Sequence, residues 1–131
     1  MKKVLIILGF IFLNFACSQE DLIEKGENAY KNKDYTNAIK YFQQACDLNN
    51  GNGCNELGTM YTLVKKNDFK AVKFLKIACD MDYANSCVNL GGMYENGYGV
   101  RKDISKALKF YGKACDLKYD TGCKNYARLK R

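Results

Sequence analysis

A chain of 131 residues with 47% hydrophobic and 27% charged residues has the length and composition of one folded domain. It contains no proline, tryptophan or histidine, so no proline interrupts a helix from within, and both a Ser–His relay and a histidine-built zinc site are excluded. The net charge of +7 falls to +5 when Lys2 and Lys3 are set aside, because 21 basic residues less two face 14 acidic ones. The lysines are spread along the sequence, often beside acidic residues, and read as solvated helix faces rather than a nucleic-acid surface.

Met1-Lys2-Lys3 precedes the apolar run Val4 to Leu13. A positive start followed by about 10 apolar residues is the pattern of an export signal, and it is too short for a membrane span. Asn14-Phe15-Ala16-Cys17-Ser18 follows. It resembles a lipoprotein processing site with Cys17 as the lipidation candidate, although Ala16-x-Ser18 also fits ordinary signal cleavage. The expectation is a signal over residues 1–17 and a folded domain over 18–131. The product is exported, either periplasmic or secreted, and its one expected membrane contact is a lipid on Cys17 at the outer membrane.

Setting Cys17 aside leaves six cysteines in three C-x7-C pairs: Cys46 and Cys54, Cys79 and Cys87, Cys115 and Cys123. Export and paired cysteines support each other, since disulfides persist outside the reducing cytosol. The spacing is not the C-x2-4-C of a structural zinc site. No metal and no cofactor is expected.

Helical periodicity begins at Asp21 to Tyr30 and resumes after a turn over Tyr35 to about Leu48, with Ala38, Ile39, Phe42, Ala45 and Cys46 on one face. Asn49-Asn50-Gly51-Asn52-Gly53 reads as a helix stop. A second pair opens at Cys54, and its partner helix carries Phe69, Ala71, Val72, Leu75, Ala78 and Cys79. A third opens at Cys87, with Ile104, Ala107, Leu108, Tyr111, Ala114 and Cys115 on its partner. Cys123 to Arg131 reads as a capping helix with a soluble, basic outer face. The period is 33 residues from Cys46 to Cys79 and 36 from Cys79 to Cys115. Repeats of this length built from two helices signal an α-solenoid. Gly26, Gly58 and Gly91 recur on the first helices, where glycine costs roughly 1 kcal/mol against alanine, so they point to close helix packing.

Leu90-Gly91-Gly92-Met93-Tyr94-Glu95-Asn96-Gly97-Tyr98-Gly99-Val100-Arg101-Lys102-Asp103, continued by Lys106-Ala107 and Tyr111-Gly112-Lys113-Ala114, resembles a full Sel-one-like repeat. The first two units lack the G-x-G-V insertion and look closer to tetratricopeptide repeats. Together with cysteines eight apart at the repeat joins, the chain resembles the Helicobacter cysteine-rich protein family over Leu22 to Arg131. The fold implied is all-α: a right-handed α-α solenoid of three disulfide-stapled helix-pair repeats plus a C-terminal capping helix. In this register each C-x7-C pair joins one repeat to the next, across a tight turn that can bring Cα atoms within the roughly 4.4–6.8 Å a disulfide needs.

The resemblance also implies a weak β-lactamase or penicillin-binding activity, with a β-lactam as ligand. The residues supply little for it. Serine catalysis of that class uses S-x-x-K, whereas Ser18, Ser86 and Ser105 are followed three places on by Asp21, Asn89 and Leu108. Asp120-Thr121-Gly122 copies the aspartic-protease triplet only once, before the capping helix.

Binding is the stronger expectation. Stacked helix pairs leave a groove lined by first-helix side chains and suited to an extended chain. Counted from the helix glycines, its lining is Glu27, Tyr30, Asn52, Asn55, Glu56, Thr59, Thr62, Asn85, Asn89 and Glu95, with Glu27, Tyr30, Asn55, Glu56, Asn89 and Glu95 foremost. Ile23, Glu27 and Glu56 stand where tetratricopeptide carboxylate clamps place lysine, arginine or asparagine, which disfavours capture of a free C-terminus. The expected protein is a monomeric envelope scaffold that binds a peptide, a peptidoglycan fragment or a protein partner.

Overall fold

A computed structural model describes residues 18–131, so the expected signal over 1–17 and the lipidation candidate Cys17 lie outside the described residues. Helix α1 covers residues 18–31. It is followed by α2 (Tyr35–Asp47), α3 (Gly51–Leu63), α4 (Asp68–Asp80), α5 (Ala84–Asn96), α6 (Ile104–Asp116) and α7 (Asp120–Lys130). No strand occurs among the described residues. From α2 to α7 each helix packs on its neighbours in sequence, and α7 also reaches back to α5. This is the expected solenoid, with α1–α2, α3–α4 and α5–α6 as the helix pairs and α7 as the cap.

Helices α2 to α6 are each 13 residues long, so antiparallel partners overlap along their whole length. Their starts are fixed by side chains that accept from an orphan backbone N–H. Asp34, Asn50, Asn67 and Asp103 cap α2, α3, α4 and α6 in this way. At the two later joins the place of Asn50 is taken by Tyr83 and Tyr119, which make no side-chain cap. Tyr83 instead donates its hydroxyl to Asn52 Oδ1 of the preceding repeat, at 3.2 Å.

The joins between repeats are shorter than the sequence suggests. α3, α5 and α7 begin at Gly51, Ala84 and Asp120, three residues before their cysteines. Only Leu48, Asn49 and Asn50 separate α2 from α3, and Asn49 takes the left-handed conformation (φ 62°). Gly51-Asn52-Gly53 is therefore the first turn of α3 and not a helix stop. Gly53 is a packing residue: a Cβ there would lie 2.6 Å from Ala45 Cβ and 3.0 Å from the Cys46 backbone nitrogen. Gly122 repeats this contact on Ala114 and Cys115, which places the Asp120-Thr121-Gly122 triplet inside a packed helix.

All three expected disulfides are present, Cys46–Cys54, Cys79–Cys87 and Cys115–Cys123, with Cα atoms 4.5, 4.7 and 4.5 Å apart. Each ties the last turn of a second helix to the first turn of the next first helix. Gly26, Gly58 and Gly91 pack as expected, against Phe42, Leu75 and Tyr111 of their partner helices. Ala38, Ala71 and Ala107 are fully enclosed on the facing side.

The core divides into two clusters. One gathers Ala29, Phe42, Cys46, Leu57, Met60 and Phe74 around the first join, and the other gathers Val72, Leu75, Cys87, Leu90, Met93 and Phe110 around the second. Two apolar positions expected on helix faces are corrected here. Phe69 is 76% exposed and Ile104 is 37% exposed; both stand at the very start of their helices, before the buried stripe begins. On α4 and α6 the buried phenylalanines are Phe74 and Phe110, stacked on Tyr61 and Tyr94 with ring centroids 5.5 Å apart.

The three additional residues of the third repeat make a loop between α5 and α6. Gly97 ends α5 in the left-handed conformation. Gly99 also has positive φ (70°), and it lies so close to the Asp68 backbone carbonyl that a Cβ there would collide with it. The G-x-G spacing thus combines a left-handed turn with a close backbone approach, which only glycine satisfies without strain. The loop is thereby seated on the start of α4.

Candidate binding groove

Side chains from α1, α3 and α5 line a groove with two cavities. One, of about 400 Å³, is bounded by Glu27, Tyr30, Lys31, Phe42, Glu56, Thr59 and Met60. The other, of about 450 Å³, is bounded by Thr59, Thr62, Leu63, Leu75, Val88, Asn89, Gly92, Met93, Asn96, Tyr98, Tyr111 and Asn125. Thr59 borders both, so the two cavities lie next to each other.

Local hydrogen bonds decide what this lining offers a ligand. Thr59 and Thr62 donate their hydroxyls to the carbonyls of Asn55 and Gly58, at 3.1 and 3.4 Å. Their remaining capacity is as acceptors. Asn96 donates its amide to the Gly92 carbonyl at 2.8 Å, which leaves its oxygen free of that bond. Asn89 is exposed and lines the larger cavity, where its amide provides both donor and acceptor. Leu63 and Tyr98, 53% and 57% exposed, form an apolar lip.

Of the residues expected in the groove, Glu27, Tyr30, Glu56, Thr59, Thr62 and Asn89 line the two cavities. Tyr30 is set by a tilted contact with the Tyr35 ring, with centroids 5.7 Å apart. Glu56 is half-buried, and desolvation pushes its carboxyl above the usual glutamate range; the Asn55 amide pulls it back and the Glu27 charge pushes it further up. Asn85 is exposed at the start of α5 and borders neither cavity.

Asn52, Asn55 and Glu95 are engaged within the protein. Asn52 accepts from Tyr83. Asn55 is 3% exposed, and its Oδ1 accepts from the fully buried Ser86 hydroxyl at 2.7 Å, while its Nδ2 donates to Glu56 Oε1 at 3.4 Å. It ties α3 to α5. Substituting Asn55→Ala should therefore leave the Ser86 hydroxyl without its acceptor and destabilise the fold by about 1–3 kcal/mol. Chemical denaturation of this variant checks the estimate; an unchanged midpoint would show that the tie contributes nothing.

Glu95 is held from two sides. Tyr111 donates its hydroxyl to Oε2 at 2.7 Å, and Arg128 of the cap reaches both carboxylate oxygens at 2.8 Å. The Arg128 hydrogen bonds, then the Tyr111 hydrogen bond, hold the Glu95 carboxyl below its ordinary value of 4.5. Burial and the Glu95 carboxylate push the Tyr111 hydroxyl well up. A carboxylate lowered on folding stabilises the protein above the ordinary value, and that stability is lost as pH falls through the folded value. The melting-temperature gap between native protein and Glu95→Gln should accordingly narrow as pH is lowered from about 6 to about 3; a gap constant with pH would exclude the carboxylate as its source.

Tyr98, Asn96 and Asn125 were outside the residues expected from sequence. Counting from first-helix glycines reaches neither the loop that carries Tyr98 nor the cap that carries Asn125. Asn96 was within reach, on the face of α5 four residues after Gly92.

These features define a class: stacked helix pairs with a side-chain-lined groove. The Sel1 repeat model matches residues 52–83 and 84–119, and the tetratricopeptide repeat model matches 19–52. The second unit, expected to lie closer to tetratricopeptide repeats, is thus of the Sel1 type. The structure of Helicobacter pylori cysteine rich protein B is similar with 36% identity over 68% of this chain and 69% of that one, at a TM-score of 0.64. HcpC of Helicobacter pylori, named as a candidate beta-lactamase, is 44% identical over 57 residues, which span 41% of this chain and a fifth (20%) of HcpC. The protective antigen c5321 of uropathogenic Escherichia coli, with an SLR fold, aligns at 26% identity and a TM-score of 0.75 over 79% of this chain and 24% of that one. The chain belongs to the Helicobacter cysteine-rich protein family of Sel1-repeat proteins.

Proposed function

We propose that the protein is an exported scaffold that holds a peptide-like ligand along the groove of α1, α3 and α5. The ligand is a peptide, a peptidoglycan fragment or an extended segment of a protein partner. The observation that carries this reading is the adjacency of the two cavities, which meet at Thr59 on the side of α1, α3 and α5. Their apolar walls are bordered by acceptor hydroxyls and amides, the arrangement an extended backbone can engage. Disulfides at every repeat join support an oxidising compartment, and residues 1–17 with Cys17 supply export and a lipid tether. Titration calorimetry with a panel of peptides and muropeptides tests the groove. Saturable binding weakened by Asn89→Ala is expected, and no saturable binding across the panel would overturn the reading.

The name of HcpC favours a second reading, hydrolysis of a β-lactam ring. Ser86 is fully buried against Asn55, and Ser105 is exposed on α6 with Leu108 three places on. A chromogenic-cephalosporin assay decides between the readings. Turnover that varies between preparations, or persists in Glu56→Ala and Asn89→Ala, lies outside the groove.

A further inference from the structure

Folding sorts the charges that look scattered in the sequence. All five glutamates, Glu20, Glu24, Glu27, Glu56 and Glu95, lie on first helices, and α3 and α5 contain no lysine or arginine. The second helices α4 and α6 carry three lysines each and no glutamate, against two aspartates (Asp68 and Asp80) on α4 and one (Asp116) on α6. The outward side of the α4 and α6 pair is therefore basic, while the groove side is neutral to acidic.

Four of these lysines occupy equivalent places in two repeats. Lys70 and Lys73 stand over the stacked Tyr61 and Phe74 rings, and Lys106 and Lys109 stand over the stacked Tyr94 and Phe110 rings, each 5.4–5.6 Å from a ring centroid. Among the described residues none of the four ammoniums pairs with a carboxylate within 4.0 Å, whereas Lys76 and Lys113 do, with Asp80 and Asp82. Their charges are held in place without being neutralised.

Beside them is a notch of about 530 Å³ formed where the third-repeat loop sits on α4. Phe69, Tyr94, Arg101, Lys102, Asp103 and Lys106 border it, together with Gly99 and Val100. The one carboxylate in that lining, Asp103, accepts from the Lys106 backbone nitrogen as the α6 cap. Phe69, at 76% exposure the most exposed large apolar side chain described, stands at its edge. An aromatic that projects into solvent beside unneutralised cations is the arrangement of a surface that rests in a bilayer interface, ring in the acyl boundary and cations at the phosphates.

We propose that the outward face of α4 and α6, with Phe69 and the Arg101-Lys102 loop, docks on an anionic phospholipid bilayer and leaves the groove turned away from it. A bilayer suits this face better than an acidic protein segment. The notch holds only part of the cationic set: Lys70, Lys73 and Lys109 repeat across two helix pairs outside its lining, and mobile headgroups can meet them without a fixed register.

The test is co-sedimentation with vesicles of phosphatidylcholine alone or mixed with phosphatidylglycerol. The protein carries Cys17→Ser, so that no acyl group contributes. Binding to the mixed vesicles only, weakening with salt, is expected. Replacing Arg101, Lys102 and Lys106 together by Gln should weaken it on the order of a hundredfold, about fivefold per cation. The same charge removed from the cap, with Lys124, Lys130 and Arg131 replaced by Gln, should change it less than about threefold, since these groups lie off the face. All six side chains are exposed, so both variants should melt with the native protein. Phe69→Ser should weaken binding and leave its salt slope unchanged. Equal binding to both vesicle types, equal loss in the two triple variants, or binding to an acidic peptide with none to vesicles would each overturn the proposal.

Discussion

Reduction of the three disulfides should lower the melting temperature on the order of 25 °C, because the bridges supply much of the chain's stability. Each closes a loop of eight residues around a three-residue turn. The chain-entropy account gives about 2.5 kcal/mol for so short a loop, and about 7 kcal/mol for three independent ones. A typical domain has only about 5–15 kcal/mol in total. The solenoid is short, and its helices pack mainly on sequence neighbours, so few other long-range contacts can replace the staples. Position also matters. Removing the middle bridge, with Cys79 and Cys87 both changed to Ala, should loosen the second core cluster, since both side chains belong to it and are fully enclosed at the second join. Removing Cys115–Cys123 in the same way should mainly fray α7. Calorimetry with and without reductant measures the total, and superimposed melting curves would overturn the staple argument.

The repeat architecture was readable because it rests on local periodicities: cysteines eight apart, alanines eight before the first cysteine, and a glycine recurring at one place on each first helix (Gly26, Gly58 and Gly91). Each reflects a contact between helices adjacent in sequence, so the pattern survives in one dimension. The errors have a different origin. Gly51-Asn52-Gly53 looks like a stop by composition, yet Gly53 is required by the Ala45 and Cys46 backbone opposite it. Asn55 and Glu95 look like groove residues by helical phase. Their partners are Ser86, 31 residues on, and Arg128, 33 residues on, and nothing in the pattern of their own helices marks those ties. The charge sorting was hidden for a related reason. Lysines of alternate helices are mixed along the chain with the acids of the helices between, and only folding collects them on one side.

Leu90→Ala should cost about 2–5 kcal/mol, the range for emptying a fully enclosed leucine site that cannot collapse. Leu90 is 0% exposed in the second core cluster, and Leu57 occupies the same place, 33 residues earlier, in the first. In a solenoid, stability is close to a sum of repeat and neighbour-interface contributions, so the two substitutions should have separate consequences. Leu90→Ala should release α5, α6 and α7 to faster amide exchange while α1 to α3 keep their protection. Leu57→Ala should release α1 and α2 and spare α6 and α7. The division should be sharper in reduced protein, because the bridges otherwise hold the loosened repeat against its neighbour and limit its opening. Hydrogen exchange read helix by helix measures both variants. A uniform loss of protection along the chain in either one would mean that the two clusters unfold as a single unit, and the neighbour-by-neighbour account of this protein's stability would then be wrong.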